Sequence, residues 1–185
     1  MSRVVRFVGI GVGMVLAIVV VLMLAYFLPS TAKVHVTGTE VKRLDHRTKD
    51  GFATTRDVRF IITQRVGSEE TLVFRNEDTG WGWPPYFKFS SGDLTGRAIN
   101  IAKAQPEAVV LVQYYGWRLS ILDAYPNMLS MRVVAADHRH IPVFNIVVVT
   151  LLLGLTVLVV LRVRRLLTSL GARFARTPAD SQSLE

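Results

Sequence analysis

Two apolar runs without a single charge constrain this chain more than any other feature. They occupy residues 7–28, a length of 22, and residues 141–161, a length of 21. At an α-helical rise of roughly 1.5 Å per residue, each covers about 30 Å, the hydrocarbon thickness of a bilayer. Both runs therefore predict membrane-spanning helices. Arg3 and Arg6 precede the first run and Ser30, Thr31 and Ala32 follow it, so it also carries marks of a cleaved signal peptide. Its apolar stretch exceeds the roughly 7–15 residues of a signal h-region, which favours an uncleaved anchor.

Basic residues near the span ends set the expected orientation. Arg3 and Arg6 lie before the first span, and Arg162, Arg164, Arg165, Arg173 and Arg176 follow the second. Both termini are thus expected on the cytoplasmic side of the membrane, with residues 29–140 exported. That central segment holds 15 basic and 12 acidic residues, a net +3 of the total +8. The basic balance is largely topological, and no nucleic-acid partner is expected. The chain contains no cysteine, which excludes disulfides, a thiolate nucleophile and thiolate-held cofactors. No cofactor is expected.

The predicted organisation is a cytoplasmic N-terminus at 1–6, a first span at 7–28, an exported domain at 29–140, a second span at 141–161 and a basic amphipathic segment at 162–185. Gly9, Gly13 and Ala17 recur at four-residue spacing and leave one helix face nearly smooth, a candidate packing face for a neighbouring helix. Asn145 in the second span offers a hydrogen bond across such an interface. Neither span contains an acid or base, so an ion path is a poor reading. In the last segment Val163, Leu166, Leu167, Leu170 and Phe174 follow helical spacing among the five arginines. This pattern suits a helix on an anionic membrane surface, with purely topological arginines as the equal alternative.

Within 29–140, Val34 and Val36 alternate with His35 and Thr37, the period of a half-buried strand expected over 33–44. Residues 45–55 are polar without a period and read as a loop. Two β-branched runs, 57–66 and 71–77, flank Gly67-Ser68-Glu69-Glu70 and read as a hairpin. Ser90 with Asp93 three positions on resembles a helix start, with Leu94, Ala98, Ile101 and Ala102 on one face and Pro106 as the stop. Residues 108–115 are nearly all apolar and predict a central strand buried on both faces. Gly116 to Arg118 turn the chain, residues 119–127 are irregular or a short helix, and 128–135 form the last strand. The fold class expected is a membrane protein in which two transmembrane α-helices flank a small exported α+β domain of about five mostly antiparallel strands and one helix.

The most unusual stretch is 75–89, RNEDTGWGWPPYFKF, with two tryptophans, two prolines and four charges in fifteen positions. Pro84 and Pro85 fix φ and remove two donors while Gly80 and Gly82 widen the allowed angles, so the segment is a shaped loop. Trp81, Trp83, Tyr86 and Phe87 make it a candidate recognition surface, because Trp, Tyr and Arg dominate interface hot spots. A self-packed loop closing the core, or a set of side chains at the membrane interface, are the alternatives. Arg75, Asp78 and Arg118 flank the aromatic groups as ionic handles for a pocket, or as structural ion pairs. Tyr114, Tyr115 and Trp117 lie at a strand end, where core packing is the default. His138 and His140 are two apart with only Asp137 nearby, too few ligands for a metal motif.

These segments resemble a family of bacterial membrane proteins known as domain of unknown function 1523. The resemblance runs through VTGTEVKR at 36–43, TRDV at 55–58, the aromatic loop at 75–89 with SGDL at 91–94, and YGWR at 115–118. It covers roughly residues 10–150 and implies an inner-membrane protein with an exported domain. It supplies no catalytic residue. Together the sequence points to a non-enzymatic accessory or assembly subunit of an inner-membrane protein complex, binding an integral membrane partner through Arg75, Asp78, Trp81, Trp83, Tyr86, Phe87, Tyr115, Trp117 and Arg118. The alternative is a periplasmic module for an envelope lipid or glycan ligand.

Overall fold

The computed structural model describes residues 3–47 and 53–174. They divide into two compact units, residues 1–140 and 141–185. The first opens with α1, Arg3–Phe27, which stops just before Pro29, whose ring cannot continue the helix. Its stretch Phe7–Phe27 is long and apolar enough to cross a membrane, and none of it is buried. Nothing lies within 4 Å of the Cβ positions of Gly9 and Gly13, and Ala17 is exposed, so within this unit the smooth face carries no neighbour.

Strand β1, Ser30–Arg47, follows α1 after only Leu28 and Pro29. Next come β2, Ala53–Arg65, and β3, Thr71–Arg75. Helix α2, Ser91–Ala104, leads to β4, Val110–Tyr115, and β5, Asn127–Val133. The sheet is a closed barrel in the order β1-β2-β3-β5-β4. An expectation of about five strands and one helix said nothing of closure. Closure comes from β1, which pairs antiparallel with β2 along one edge and with β4 at Ser30↔Tyr114 to Val34↔Val110 along the other. Every ladder is antiparallel except the seam between β3 and β5, joined by the single parallel pair Arg75↔Asn127.

Alternate residues of the strands fill the interior. Val34, Val36, Ile61, Phe74, Val110, Val112, Met128 and Met131 are buried together, and α2 adds Leu94, Ala98 and Ile101 on the face its spacing predicts. Each such side chain stabilises the fold by about 2 kcal/mol. Val110 and Val112 join the interior cluster while Leu111 between them, outside that cluster, is also buried, so both faces are covered there and residues 110–112 do not alternate.

One expectation fails. Residues 45–47 and 53–55 are not loop, because the β1–β2 ladder runs unbroken from Gly38↔Ile62 to Arg47↔Ala53. Beyond Glu40 and Phe60 neither strand has a second partner, so this end is a two-stranded ribbon. Backbone hydrogen bonds hold the ladder whatever the side chains, so the strands persist through a polar stretch that carries no period-two signal.

The second unit contains α3, Val143–Phe174. Pro142 stands directly before it, and Val143–Leu166 is again long and apolar enough to cross a membrane. Asn145 is half-buried in its first turn. Arg162, Arg164 and Arg165 are exposed on the helix, Arg173 falls in its last turn, and Arg176 lies outside the described residues.

Candidate functional site

The aromatic loop is held at its neck and tied down by a buried polar cluster. At the neck, the Gly80 amide donates to the Lys88 carbonyl at 3.1 Å and the Lys88 amide donates to Thr79 Oγ1 at 3.1 Å. Gly80 has φ +54°, an angle that costs glycine nothing. The returning segment is not a regular strand, because Phe87 stands in the left-handed region at φ +49°. Phe87 and Phe89 face outward while Lys88 turns inward and is only 5% exposed.

Lys88 Nζ donates to Asn76 Oδ1 at 2.7 Å and to the Met128 carbonyl at 2.6 Å. Buried Asn76 in turn donates from Nδ2 to the Ser91 carbonyl at 2.7 Å and to Thr95 Oγ1 at 2.9 Å. Burial drives the Lys88 ammonium down to about 8, against the opposing pull of the Asp78 and Glu77 carboxylates. Asn127 completes the clamp. Its Oδ1 accepts from the Glu77 amide at 3.1 Å, and its Nδ2 donates to the Glu77 carbonyl at 3.1 Å and to the Tyr115 hydroxyl at 3.2 Å. Sequence reading missed Lys88, Asn76 and Asn127. The one signal available was a lysine between two phenylalanines in an otherwise apolar triplet.

Asp78 has a structural task. It accepts from the Ser91 amide at 2.9 Å and from Ser91 Oγ at 2.7 Å, placing a carboxylate at the N-terminus of α2. The expected cap, Ser90, makes no side-chain cap bond. Arg75 pairs with Glu77. Arg118 stacks 3.8 Å from the Tyr125 ring centroid and reaches Asp123 at 3.6 Å. Arg75, Asp78 and Arg118 thus have three different partners and do not converge on one pocket, and of the two readings the sequence left open these contacts are the structural one.

The aromatic side chains sort into three environments. Tyr86 is half-buried, donates its hydroxyl to the Phe27 carbonyl at the end of α1, and packs its ring 5.1 Å from that of Tyr115. Burial pushes its phenol up to about 12, with Tyr115 adding to the shift, and burial likewise raises Tyr115. Trp83 and Trp117 clasp the last turn of α1: Trp83 lies edge-on to Phe27 at 5.4 Å, and Trp117 edge-on to Tyr26 at 5.4 Å. Trp81 stands furthest out, 84% exposed, between Phe87 at 5.4 Å and Phe89 at 5.7 Å. The loop is therefore self-packed through Tyr86 and open through Trp81, Trp83, Phe87 and Phe89.

A cavity of about 330 Å³ opens at the weak seam, between Leu72 and Phe74 of β3 and Tyr114, Trp117, Arg118 and Pro126 beyond β4. Its lining mixes aliphatic, aromatic and guanidinium groups. His138 lies 3.3 Å from Arg132 through Nε2, and among the described residues no three His, Cys, Asp or Glu side chains gather as a metal site would require.

Comparison with other proteins adds kinship. A protein of Haemophilus influenzae, known only as an uncharacterized protein, is 42% identical over 120 residues, covering 60% of this chain and 66% of the relative. This chain therefore spans just under two thirds of that relative's length. No solved structure matches. The profile of the family described as Protein of unknown function (DUF1523) matches residues 5–167, including the aromatic loop, the barrel and most of both apolar helices, and the chain belongs to that family.

Proposed function

We propose that this chain is a non-enzymatic accessory or assembly subunit, anchored in the bacterial inner membrane by α1 and α3, whose periplasmic barrel binds an integral membrane partner through the ridge of Trp81, Phe87 and Phe89. The observation that carries the reading is the exposure of Trp81 at 84%, on a loop that Lys88 and Asn76 hold in place from beneath. An immobilised aromatic group loses little entropy on binding, which is what an interface anchor needs. The arginines at 3, 6, 162, 164 and 165 support cytoplasmic termini and an exported barrel.

Purification of the full-length protein from its native membrane in mild detergent, with and without Trp81→Ala, tests this reading. Trp81 contributes little to the core, so the variant should unfold as the wild type does while losing a stoichiometric protein companion. Retention of the companion by the variant, or its absence from the wild type, refutes the assignment. The cavity at the β3–β5 seam favours a second reading, an envelope lipid or glycan module. Native mass spectrometry of the same preparation would then find a bound small molecule that survives Trp81→Ala and is lost on filling the cavity with Leu72→Trp.

A further inference from the structure

The ten residues after Tyr115 build a small rigid hairpin whose tip has no packing role. Leu119 and Ala124 exchange both backbone hydrogen bonds at 3.1 Å, the Leu122 amide donates to the Leu119 carbonyl at 3.1 Å, and the Asp123 amide donates to the Ser120 carbonyl at 3.2 Å. Arg118 Nη1 adds a bond to the Ala124 carbonyl at 3.0 Å. The 3-10 turn Ser120–Leu122 carries Ile121 and Leu122 at the tip, 99% and 72% exposed. An apolar tip on a turn that pairs the amides of Leu119, Leu122, Asp123 and Ala124 internally suits the boundary between headgroups and acyl chains, where water still reaches the remaining polar groups. In water, the same tip is only exposed hydrocarbon.

The place of the hairpin is fixed by α1. The Gly116 amide donates to the Tyr26 carbonyl at 2.9 Å, Trp117 stacks on the Tyr26 ring, and Tyr86 satisfies the Phe27 carbonyl. The last carbonyls of the helix are therefore capped by the barrel, and only two residues separate α1 from β1. Helix and barrel are joined without a flexible linker. The hairpin must leave the barrel beside the end of α1, and Tyr26, Trp83 and Trp117 surround that point as an aromatic belt surrounds a span at the interface.

We propose that this hairpin is a membrane-contacting element, with Ile121 and Leu122 in the boundary between headgroups and acyl chains beside α1. The lipid surface is its partner, an assignment that rests on α1 spanning the bilayer. Asp123, paired with Arg118 at 3.6 Å, stays at headgroup level and limits the depth to the outer 5–10 Å or so of the bilayer. The contact would fix the tilt of the barrel on the membrane and so the direction in which Trp81 is presented.

Because the chain has no cysteine, single labels can be placed at will. Full-length Ile121→Cys, Ile18→Cys and Val41→Cys proteins carrying an environment-sensitive fluorophore are reconstituted into phosphatidylethanolamine and phosphatidylglycerol vesicles. Each is compared with and without lipid brominated high on the acyl chain. Ile18 lies within α1, and Val41 is an equally apolar exposed site on β1, eleven strand residues or roughly 35 Å along the strand from Ser30. The expected result is blue-shifted, bromine-quenched emission at 121 and 18 and neither effect at 41. Quenching at 18 without quenching at 121 overturns the hairpin proposal alone. Loss of quenching at 18 overturns the spanning reading of α1 and the proposal with it.

Discussion

Lys88 makes the stability of the barrel rise with pH in a range where most proteins gain nothing. Its ammonium is lowered from 10.5 to about 8, chiefly by burial. At 1.36 kcal/mol per unit, that difference corresponds to a penalty of about 3 kcal/mol for holding the charged form inside the fold. The unfolded chain binds the proton more tightly than the folded one, so unfolding free energy increases as pH climbs from about 8 toward 10.5. The stabilisation is fully present above the upper value and lost as pH falls through the lower. Tyr86 acts in the opposite sense. Its pKa is raised from 10.0 to about 12, so the folded state retains a proton that the unfolded state gives up, and stability declines as pH rises above 10. Tyr115, also raised, adds to that decline. The two effects together predict a maximum near pH 10. Denaturant titrations of the full-length protein in detergent, followed by near-ultraviolet circular dichroism from about pH 7 to about pH 11, measure it. The decisive comparison is Lys88→Met. That variant removes the charge penalty but leaves Asn76 Oδ1 and the Met128 carbonyl without their donor, at about 1–3 kcal/mol each, so its stability at pH 7 should fall within a few kcal/mol of wild type. Its pH dependence between 8 and 10 should be flat. An equal rise in wild type and variant would show that Lys88 does not carry the effect, and the argument from its burial would fail.

Two further outcomes follow from the same geometry. Asp78→Ala removes the acceptor of both Ser91 bonds and the carboxylate at the start of α2, and should lower stability by about 1–2 kcal/mol in the same titration, with Asp78→Asn recovering part of the loss. Gly116 has φ +88°, and a Cβ there would meet the Tyr26 ring and Pro126 at 3.6 Å, an ordinary contact, so Gly116→Ala should cost about 1 kcal/mol through backbone strain. Its mark should be local: faster amide exchange at Gly116 and Trp117, where the barrel caps α1, with the barrel core unchanged.

Local patterns carried much of the architecture. The apolar runs that became α1 and α3, the 57–77 hairpin, the apolar face of α2 and the apolar first half of β4 each record a single environment over consecutive residues, and a period or its absence reports that environment directly. The β1–β2 ribbon escaped because backbone pairing extends its ladder through polar residues that carry no period. The candidate site was legible as a loop of exceptional composition, but which of its aromatic groups face inward was not. Trp81 and Tyr86 lie in the same aromatic loop, yet one stands in solvent between Phe87 and Phe89 and the other is half-buried against Tyr115 and the Phe27 carbonyl.

What the sequence determined by itself was the list of elements, the two helices apolar enough to cross a membrane, and the loop between β3 and α2 as the place to look for recognition. Tertiary structure alone decided the closure of the barrel, the burial of Lys88, the capping of α2 by Asp78 and the joint between the barrel and α1. Each depends on partners far apart in the chain: Lys88 lies 40 residues from Met128, and Tyr86 lies 59 from Phe27. A residue's period reveals which face of its own element is apolar. Which remote carbonyl or ring will meet that face is set by strand register and barrel closure, and these arise only when the whole sheet forms.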